Sequence, residues 1–204
     1  SLNGIDSLLF SEDNLVKLKR LINLPNGIIL ICGSTSAGKT TTMYSLLKEL
    51  DAKAKNIITV EDPIEMNIEG INQVQVNAEI GLTFGRVLRS ILRQDPNIIL
   101  IGEIRDNETA QIAVRASITG HLVFSTIHTN NSLSTIERLL DMNVEKYLLS
   151  SALTGIVSQK LARRICPKCR AIRATTPYEK KVFKQFLNKD VHEIYDVHGH
   201  CDNC

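Results

Sequence analysis

The chain has 204 residues, 43% of them hydrophobic and 23% charged, with 24 Lys and Arg against 22 Asp and Glu. These proportions are ordinary for a globular protein with one main domain, and no apolar run approaches the roughly 18 residues of a spanning helix, so any membrane role is expected to be peripheral. Charge is unevenly distributed along the chain. Residues 151–204 carry 10 basic and 5 acidic side chains, whereas residues 1–150 carry 14 basic and 17 acidic side chains. A basic tail favours an anionic partner such as nucleic acid or acidic lipid, or is simply a solvated surface.

In chain order, leucines at helical spacing predict a first helix over Glu12–Ile22, and Ile28–Cys32 reads as a buried strand in which Cys32 is a small core residue. The other predicted strands are Ile57–Val60, Gly70–Val76 (at an edge), Ile98–Ile101 and Leu122–Ile127. The other predicted helices are Thr41–Leu50, Phe84–Arg93, Glu108–Thr119, Leu133–Met142 and Lys146–Leu161. Apolar strands that alternate with helices predict an α/β fold with a mostly parallel sheet, in which ligands bind beyond the carboxyl ends of the strands.

A phosphate-binding loop follows the first strand. The motif GxxxxGKT and the threonine after it comprise Gly33, Ser34, Thr35, Ser36, Ala37, Gly38, Lys39, Thr40 and Thr41. Backbone N–H groups of such a loop wrap around phosphates, the lysine adds a charge at the β- and γ-phosphates, and the Thr40 hydroxyl is placed for Mg²⁺. The motif predicts a nucleoside triphosphate site.

Polar residues also follow the other buried strands. Glu61 and Asp62 end one strand, Glu103 another and His128 a third. Phosphoryl transfer to water needs one group that orients the water and another that holds hydrated Mg²⁺. We assign Glu61 to the water and Glu103 to the Mg²⁺ shell, with the reverse left open, and His128 to a γ-phosphate oxygen.

Three runs around these residues resemble the Asp box, Walker B segment and His box of the secretion ATPase superfamily. They are ITVEDPIE (Ile58–Glu65), QDPNIILIGEIRDNETA (Gln94–Ala110) and TGHLVFSTIHTN (Thr119–Asn130). With ICPKC after them, the chain is most similar to the assembly ATPases of type II secretion and type IV pili, from Leu2 onward.

The resemblance implies a RecA-like P-loop NTPase core that binds ATP and Mg²⁺, with Glu61 and Glu103 in catalysis and His121 and His128 sensing the γ-phosphate. It also implies a hexamer, cytoplasmic and peripheral at the inner membrane of a bacterium. The expected partners are inner-membrane platform proteins, with acidic phospholipid as a further candidate, but no nucleic acid. In the family an arginine from an N-terminal domain contacts nucleotide, and Arg86, Arg89, Arg93 and Arg105 are candidates within this chain.

The phosphate loop departs from the family's usual GPTGSGKT. Ser34, Ser36 and Ala37 stand where the family has proline, glycine and serine. Without the inner glycine at Ser36 the loop backbone is more restricted, which we expect to affect hydrolysis rate or nucleotide affinity.

Two CxxC pairs predict a metal site. Cys166, Cys169, Cys201 and Cys204 leave 31 residues between the pairs, which suits a structural Zn²⁺ with four thiolate ligands. Disulfides are the competing interpretation. The assembly ATPases have such a module at this place, whereas their retraction relatives lack it.

We therefore predict an ATPase domain at residues 1–163 and a tetracysteine zinc-binding module at residues 164–204, truncated at its C-terminal end. The chain is expected to be a piece of a longer protein. The predicted function is an ATPase motor that powers assembly of a pilus or pseudopilus. A competence assembly ATPase for DNA uptake, a nucleic-acid translocase and a zinc-organised scaffold with a degenerate nucleotide site remain as alternatives.

Overall fold

The computed structural model describes residues 4–197, 199 and 201–204. Residues 1–3 of the predicted ATPase domain, and residues 198 and 200 of the predicted zinc module, lie outside that part. The chain divides into two compact units, the first running to Leu161 and the second spanning Ala162–Cys204. Each unit is described by itself.

The first unit is a parallel sheet of six strands with helices on both faces. The strands are β1 (Gly27–Cys32), β2 (Ile57–Glu61), β3 (Asn72–Gln75), β4 (Ile98–Ile101), β5 (Leu122–Ile127) and β6 (Leu153–Ser158), in the spatial order β3-β2-β4-β5-β1-β6. The helices are α1 (Glu12–Leu21), α2 (Lys39–Lys48), α3 (Phe84–Ile91), α4 (Asn107–Ile118), α5 (Ser132–Asp141) and α6 (Lys146–Ala152). Short 3-10 turns lie at Ile5–Leu8, Ala78–Ile80 and Leu92–Gln94.

The core has two apolar layers because side chains alternate along each buried strand. In β1, Ile28, Leu30 and Cys32 belong to the layer that includes α3 and α4, whereas Ile29 and Ile31 belong to the layer that includes α1 and α2. All five strand pairings are parallel. The predicted α/β class with a mostly parallel sheet is confirmed, and all the strands point their carboxyl ends to one edge.

The predicted helix over Lys146–Leu161 is wrong in its second half. Helix α6 ends at Ala152, and the chain continues directly as β6, which pairs in parallel with β1. Without β6 the backbone groups along one side of β1 would be unpaired, and β-branched Thr154, Ile156 and Val157 suit a strand. Pairing with β1 therefore determines that this segment is a strand and not a helix.

The helices are short. The longest, α4, has 12 residues, and in the described part of the chain no helix combines the length and apolarity needed to cross a bilayer.

The second unit consists of β7 (Arg170–Ala174), α7 (Pro177–Leu187) and β8 (Glu193–Val197), with β7 and β8 antiparallel. Thr176 and Glu179 form a capping box that starts α7. The Arg173 guanidinium joins Glu179 to Asp196, and it holds the pKa of Glu179 at about 2. Thr175 is the one buried residue among those the structure describes in this unit, so its apolar core is minimal.

Candidate nucleotide and metal sites

The phosphate loop lies between the end of β1 and the start of α2. Gly33 and Gly38 adopt φ values of 155° and 82°, in the range that favours glycine. Lys39 is buried, and its Nζ donates to the carbonyl oxygens of Gly33 and Ser34, each at 2.9 Å. Burial lowers the pKa of Lys39, while the charge of Glu103 acts in the opposite direction. The lysine is thus held in the loop and faces a carboxylate.

Ser36 adopts a left-handed conformation, with φ of 61°, at the position where the family loop has glycine. Its side chain is exposed. A residue with a Cβ therefore takes a left-handed conformation here, at a conformational cost of about 1 kcal/mol or more.

We expect Ser36→Val to be less stable than Ser36→Gly by about 1–2 kcal/mol, because a β-branched residue is strongly disfavoured at positive φ. We also expect the valine variant to bind nucleotide more weakly. Denaturant unfolding and calorimetric titration with ADP would measure both quantities. Equal stability and affinity of the two variants would show that Ser36 does not hold this conformation in solution.

A cleft of about 530 Å³ opens beside the loop at the carboxyl edge of the sheet. Of the residues predicted for the site, those that line it are Thr35, Ser36, Ala37, Gly38, Lys39, Thr40, Thr41, Glu61, Glu103 and His128. Gly33 and Ser34 contribute their carbonyl groups to Lys39 instead. The fold thus brings the loop and three strand ends to one cavity.

Glu61 is buried, and neighbouring donors hold both of its carboxylate oxygens. Oε1 accepts from Thr59 Oγ1 at 2.5 Å and Gln73 Nε2 at 3.1 Å, and Oε2 accepts a short hydrogen bond from the Tyr44 hydroxyl. Burial, and then the hydrogen bond to Glu61, raise the pKa of Tyr44 to about 12. The Glu61 side chain is therefore fixed in place.

Glu103 is held differently. Its Oε1 lies 2.5 Å from Arg105 Nη2, whereas its buried Oε2 accepts no hydrogen bond from any residue in the described part of the chain. His128 Nε2 lies 3.5 Å from Oε2. Glu103 therefore lines the cleft with a carboxylate in which one oxygen still lacks a hydrogen-bond donor.

His121 is not brought to this cavity. It precedes β5, whereas His128 follows it, and the strand between them spans roughly 20 Å. The Nδ1 of His121 donates to the Ala116 carbonyl oxygen at 2.9 Å. Strand length separates this imidazole from a nucleotide held by the loop of the same chain.

One of the four arginine candidates contacts a residue that lines the cleft, and the other three contact residues elsewhere. Arg105 pairs with Glu103, which lines the cleft, and that contact raises the pKa of Arg105. On α3, Arg89 pairs with Glu108 and Arg86 donates to the Gly81 carbonyl oxygen, while Arg93 contacts Ser90.

Gln159 is a loop contact that the sequence analysis missed. It follows β6, and its side chain donates to the Ala37 carbonyl oxygen at 2.6 Å and accepts from Thr42 Oγ1 at 2.7 Å. The sequence pattern that indicates this contact is a polar residue at the end of a run rich in β-branched side chains, which is typical of a strand end. The prediction of a helix over this run excluded that interpretation.

In the second unit the four predicted cysteines form one cluster. Their sulfur atoms all lie within 4.8 Å of one another. The Cys166–Cys201, Cys169–Cys204 and Cys201–Cys204 sulfur pairs are 3.8, 3.6 and 3.7 Å apart. Four sulfurs at about 2.3 Å from a tetrahedral metal ion would be about 3.8 Å apart, so the cluster has the size of a metal site. The described cysteines are free thiols rather than disulfides.

A phosphate loop between a buried strand and a helix, with carboxylates at neighbouring strand ends, defines a P-loop nucleoside triphosphate-binding protein. The family model for "Type II/IV secretion system protein" matches residues 1–204. The chain belongs to this family.

Curated relatives and solved structures agree with that assignment. The chain is 60% identical over 150 residues to type II secretion system protein E of Klebsiella pneumoniae, covering 74% of this chain and 30% of that protein. It is 50% identical over 200 residues to type II secretion system ATPase E of Vibrio cholerae, covering 98% of this chain and 39% of that protein. The chain thus spans about a third of the length of these relatives.

Among solved structures, the pilus retraction motor PilT with bound ADP superposes with a TM-score of 0.70 and 29% identity, covering 98% of this chain and 55% of that one. The VirB11 ATPase of the Brucella suis type IV secretion system, in complex with sulphate, superposes with a TM-score of 0.62 and 28% identity. The match covers 72% of this chain and 46% of that one.

Proposed function

We propose that this chain is the ATP-hydrolysing part of a motor that powers assembly of a pilus or pseudopilus. The main observation behind the proposal is that Lys39, Glu61 and Glu103 line one cleft beside the phosphate loop. The named relatives support the ATP-hydrolysing role, since they include a secretion ATPase and a pilus retraction motor with bound ADP.

In this proposal the backbone N–H groups of the loop and the start of α2 bind the phosphates, and Lys39 neutralises charge on them. Hydrolysis then needs a carboxylate that orients the attacking water. Glu103, whose Oε2 lacks a hydrogen-bond donor among the described residues, suits that role better than Glu61, whose oxygens are already held by three donors. The geometry therefore favours the alternative assignment that the sequence left open.

Mg²⁺ fits the oxygen donors of this cleft. Thr40 and Glu61 both line it; Thr40 offers a hydroxyl oxygen to the ion, whereas Glu61, whose oxygens are held by other donors, would act on the water shell of the ion. When bound, Mg²⁺ would neutralise charge on the β- and γ-phosphates. In the proposal His128, at the same edge, hydrogen-bonds a γ-phosphate oxygen, and His121 is left out of the proposed site.

For the whole protein we propose a hexamer that works on inner-membrane platform proteins from the cytoplasmic side of a bacterial inner membrane. Its relatives' role in type II secretion supports this. We also retain the proposed domains, an ATPase domain at residues 1–163 and a zinc-binding module at residues 164–204.

ATP hydrolysis by the chain with Mg²⁺ tests the function, alone and with vesicles of acidic phospholipid or with single-stranded DNA. Turnover that rises with lipid supports the secretion motor, and turnover that rises only with DNA supports a translocase instead. Absence of ATP binding would overturn the proposal.

We further propose that the cysteine cluster binds Zn²⁺ as a structural ion, because four sulfurs leave no open position for substrate. The minimal core of the second unit supports this, since small folds with little buried apolar surface need a metal or disulfides.

Removal of this metal with a strong chelator is expected to unfold residues 166–204 while the first unit keeps its stability. Residue-resolved hydrogen exchange would show that β7 and β8 lose their protection whereas β1 and β5 keep theirs. Cys166→Ser is expected to lose the same protection without chelator, and Cys32→Ala serves as a control for removing a thiol outside the cluster. Simultaneous melting of both units would contradict the prediction.

A further inference from the structure

Gln159 makes three hydrogen bonds to the phosphate loop and the two elements that flank it. Its backbone N–H donates to the Cys32 carbonyl oxygen at 2.9 Å, at the end of β1. Its side-chain amide donates to the Ala37 carbonyl oxygen at 2.6 Å, and its Oε1 accepts from Thr42 Oγ1 on α2 at 2.7 Å. One residue thus connects the strand before the loop, the loop itself and the helix after it.

Gln159 also lies against both end glycines of the loop. A Cβ at Gly33 would clash with the carbonyl oxygen of Gln159, and a Cβ at Gly38 would lie 2.9 Å from its Nε2. The two glycines that allow the loop to wrap around phosphate are therefore the two that allow Gln159 to pack on its outer side.

We propose that Gln159 is a positioning residue that holds the loop in its phosphate-binding shape, an inference that rests on the proposed nucleotide site. It is absent from the residues that line the cleft, so its effect is exerted through the loop backbone. Its contact with Ala37 is next to Ser36, whose left-handed conformation gives the loop a conformational cost to offset.

The contact matters for affinity because only the binding-competent fraction of the loop contributes to the apparent Kd. Gln159→Met keeps the length of the side chain and removes both of its hydrogen bonds. We expect it to weaken ADP binding about tenfold. Thr42→Val removes only one of the two side-chain hydrogen bonds and is expected to have a smaller effect, which Thr42→Ser should restore by returning the hydroxyl.

The experiment is calorimetric titration of ADP into the parent chain and these variants, with the midpoint of thermal unfolding measured for each without nucleotide. Gln111→Met is the matched control, because Gln111 also donates to a backbone carbonyl, that of Asn143 on a different surface. The proposal predicts weaker binding by Gln159→Met at an unfolding midpoint close to that of Gln111→Met. It also predicts that the double variant Gln159→Met/Thr42→Val is less impaired than the product of the single effects.

Equal affinity of Gln159→Met and the parent for ADP would overturn this inference and leave the proposed nucleotide site unaffected. A fall in affinity fully accounted for by unfolding, with Thr42→Ser no better than Thr42→Val, would also overturn it. Failure of the parent chain to bind ADP would overturn the proposed nucleotide site and this inference together.

Discussion

Glu103→Gln is expected to lower the rate of ATP hydrolysis about 100-fold or more while the affinity for ATP changes little. The Glu103 carboxylate lines the cleft and has one oxygen without a described hydrogen-bond donor, and an amide in its place cannot accept the proton of an attacking water. Single-turnover hydrolysis with the protein in excess would give the rate, and calorimetric titration would give the affinity.

Glu61→Gln provides the comparison. We expect a smaller loss of rate, together with a lower unfolding midpoint, because the amide disturbs the buried hydrogen bonds from Tyr44, Thr59 and Gln73. The exposed Glu137→Gln on α5 should behave as the parent. A larger loss for Glu61→Gln than for Glu103→Gln would restore the assignment made from the sequence, and parent rates for both would remove these glutamates from catalysis.

Lys39→Ala is expected to weaken binding of ATP with Mg²⁺ by about 100-fold or more. Charge-assisted contacts to phosphate are among the stronger hydrogen bonds, and the variant also loses the two bonds that Nζ donates to the loop. Calorimetric titration measures the affinity, with the exposed Lys53→Ala as a control for the same change in charge.

Loss of folding should not explain the Lys39→Ala result. Burial lowers the pKa of Lys39, which means that the charged ammonium is disfavoured in the folded chain. Removal of this unfavourable burial opposes the loss of the two hydrogen bonds to the loop, so we expect only a small change in the unfolding midpoint. Binding within twofold of the parent would show that this loop does not hold the phosphates.

The sequence by itself determined the parts that depend on local pattern. Uninterrupted apolar runs predicted strands such as β1 and β5, since strands buried on both faces need no polar alternation. The glycine spacing predicted the phosphate loop. The strand-end positions of Glu61, Glu103 and His128 predicted one site, because parallel strands present the same ends at one edge. The CxxC spacing predicted the cysteine cluster.

The tertiary structure decided what depends on contacts between distant segments. Residues 153–158 became β6 because β1 offers an unpaired edge, and only this pairing brings Gln159 to the phosphate loop. The two glutamates look alike in sequence, yet Tyr44 and Gln73 reach one of them and not the other. His121 and His128 share one motif, but a strand's length separates them. Hydrogen-bond partners far apart in the chain leave no local signal, and they set the chemistry of this site.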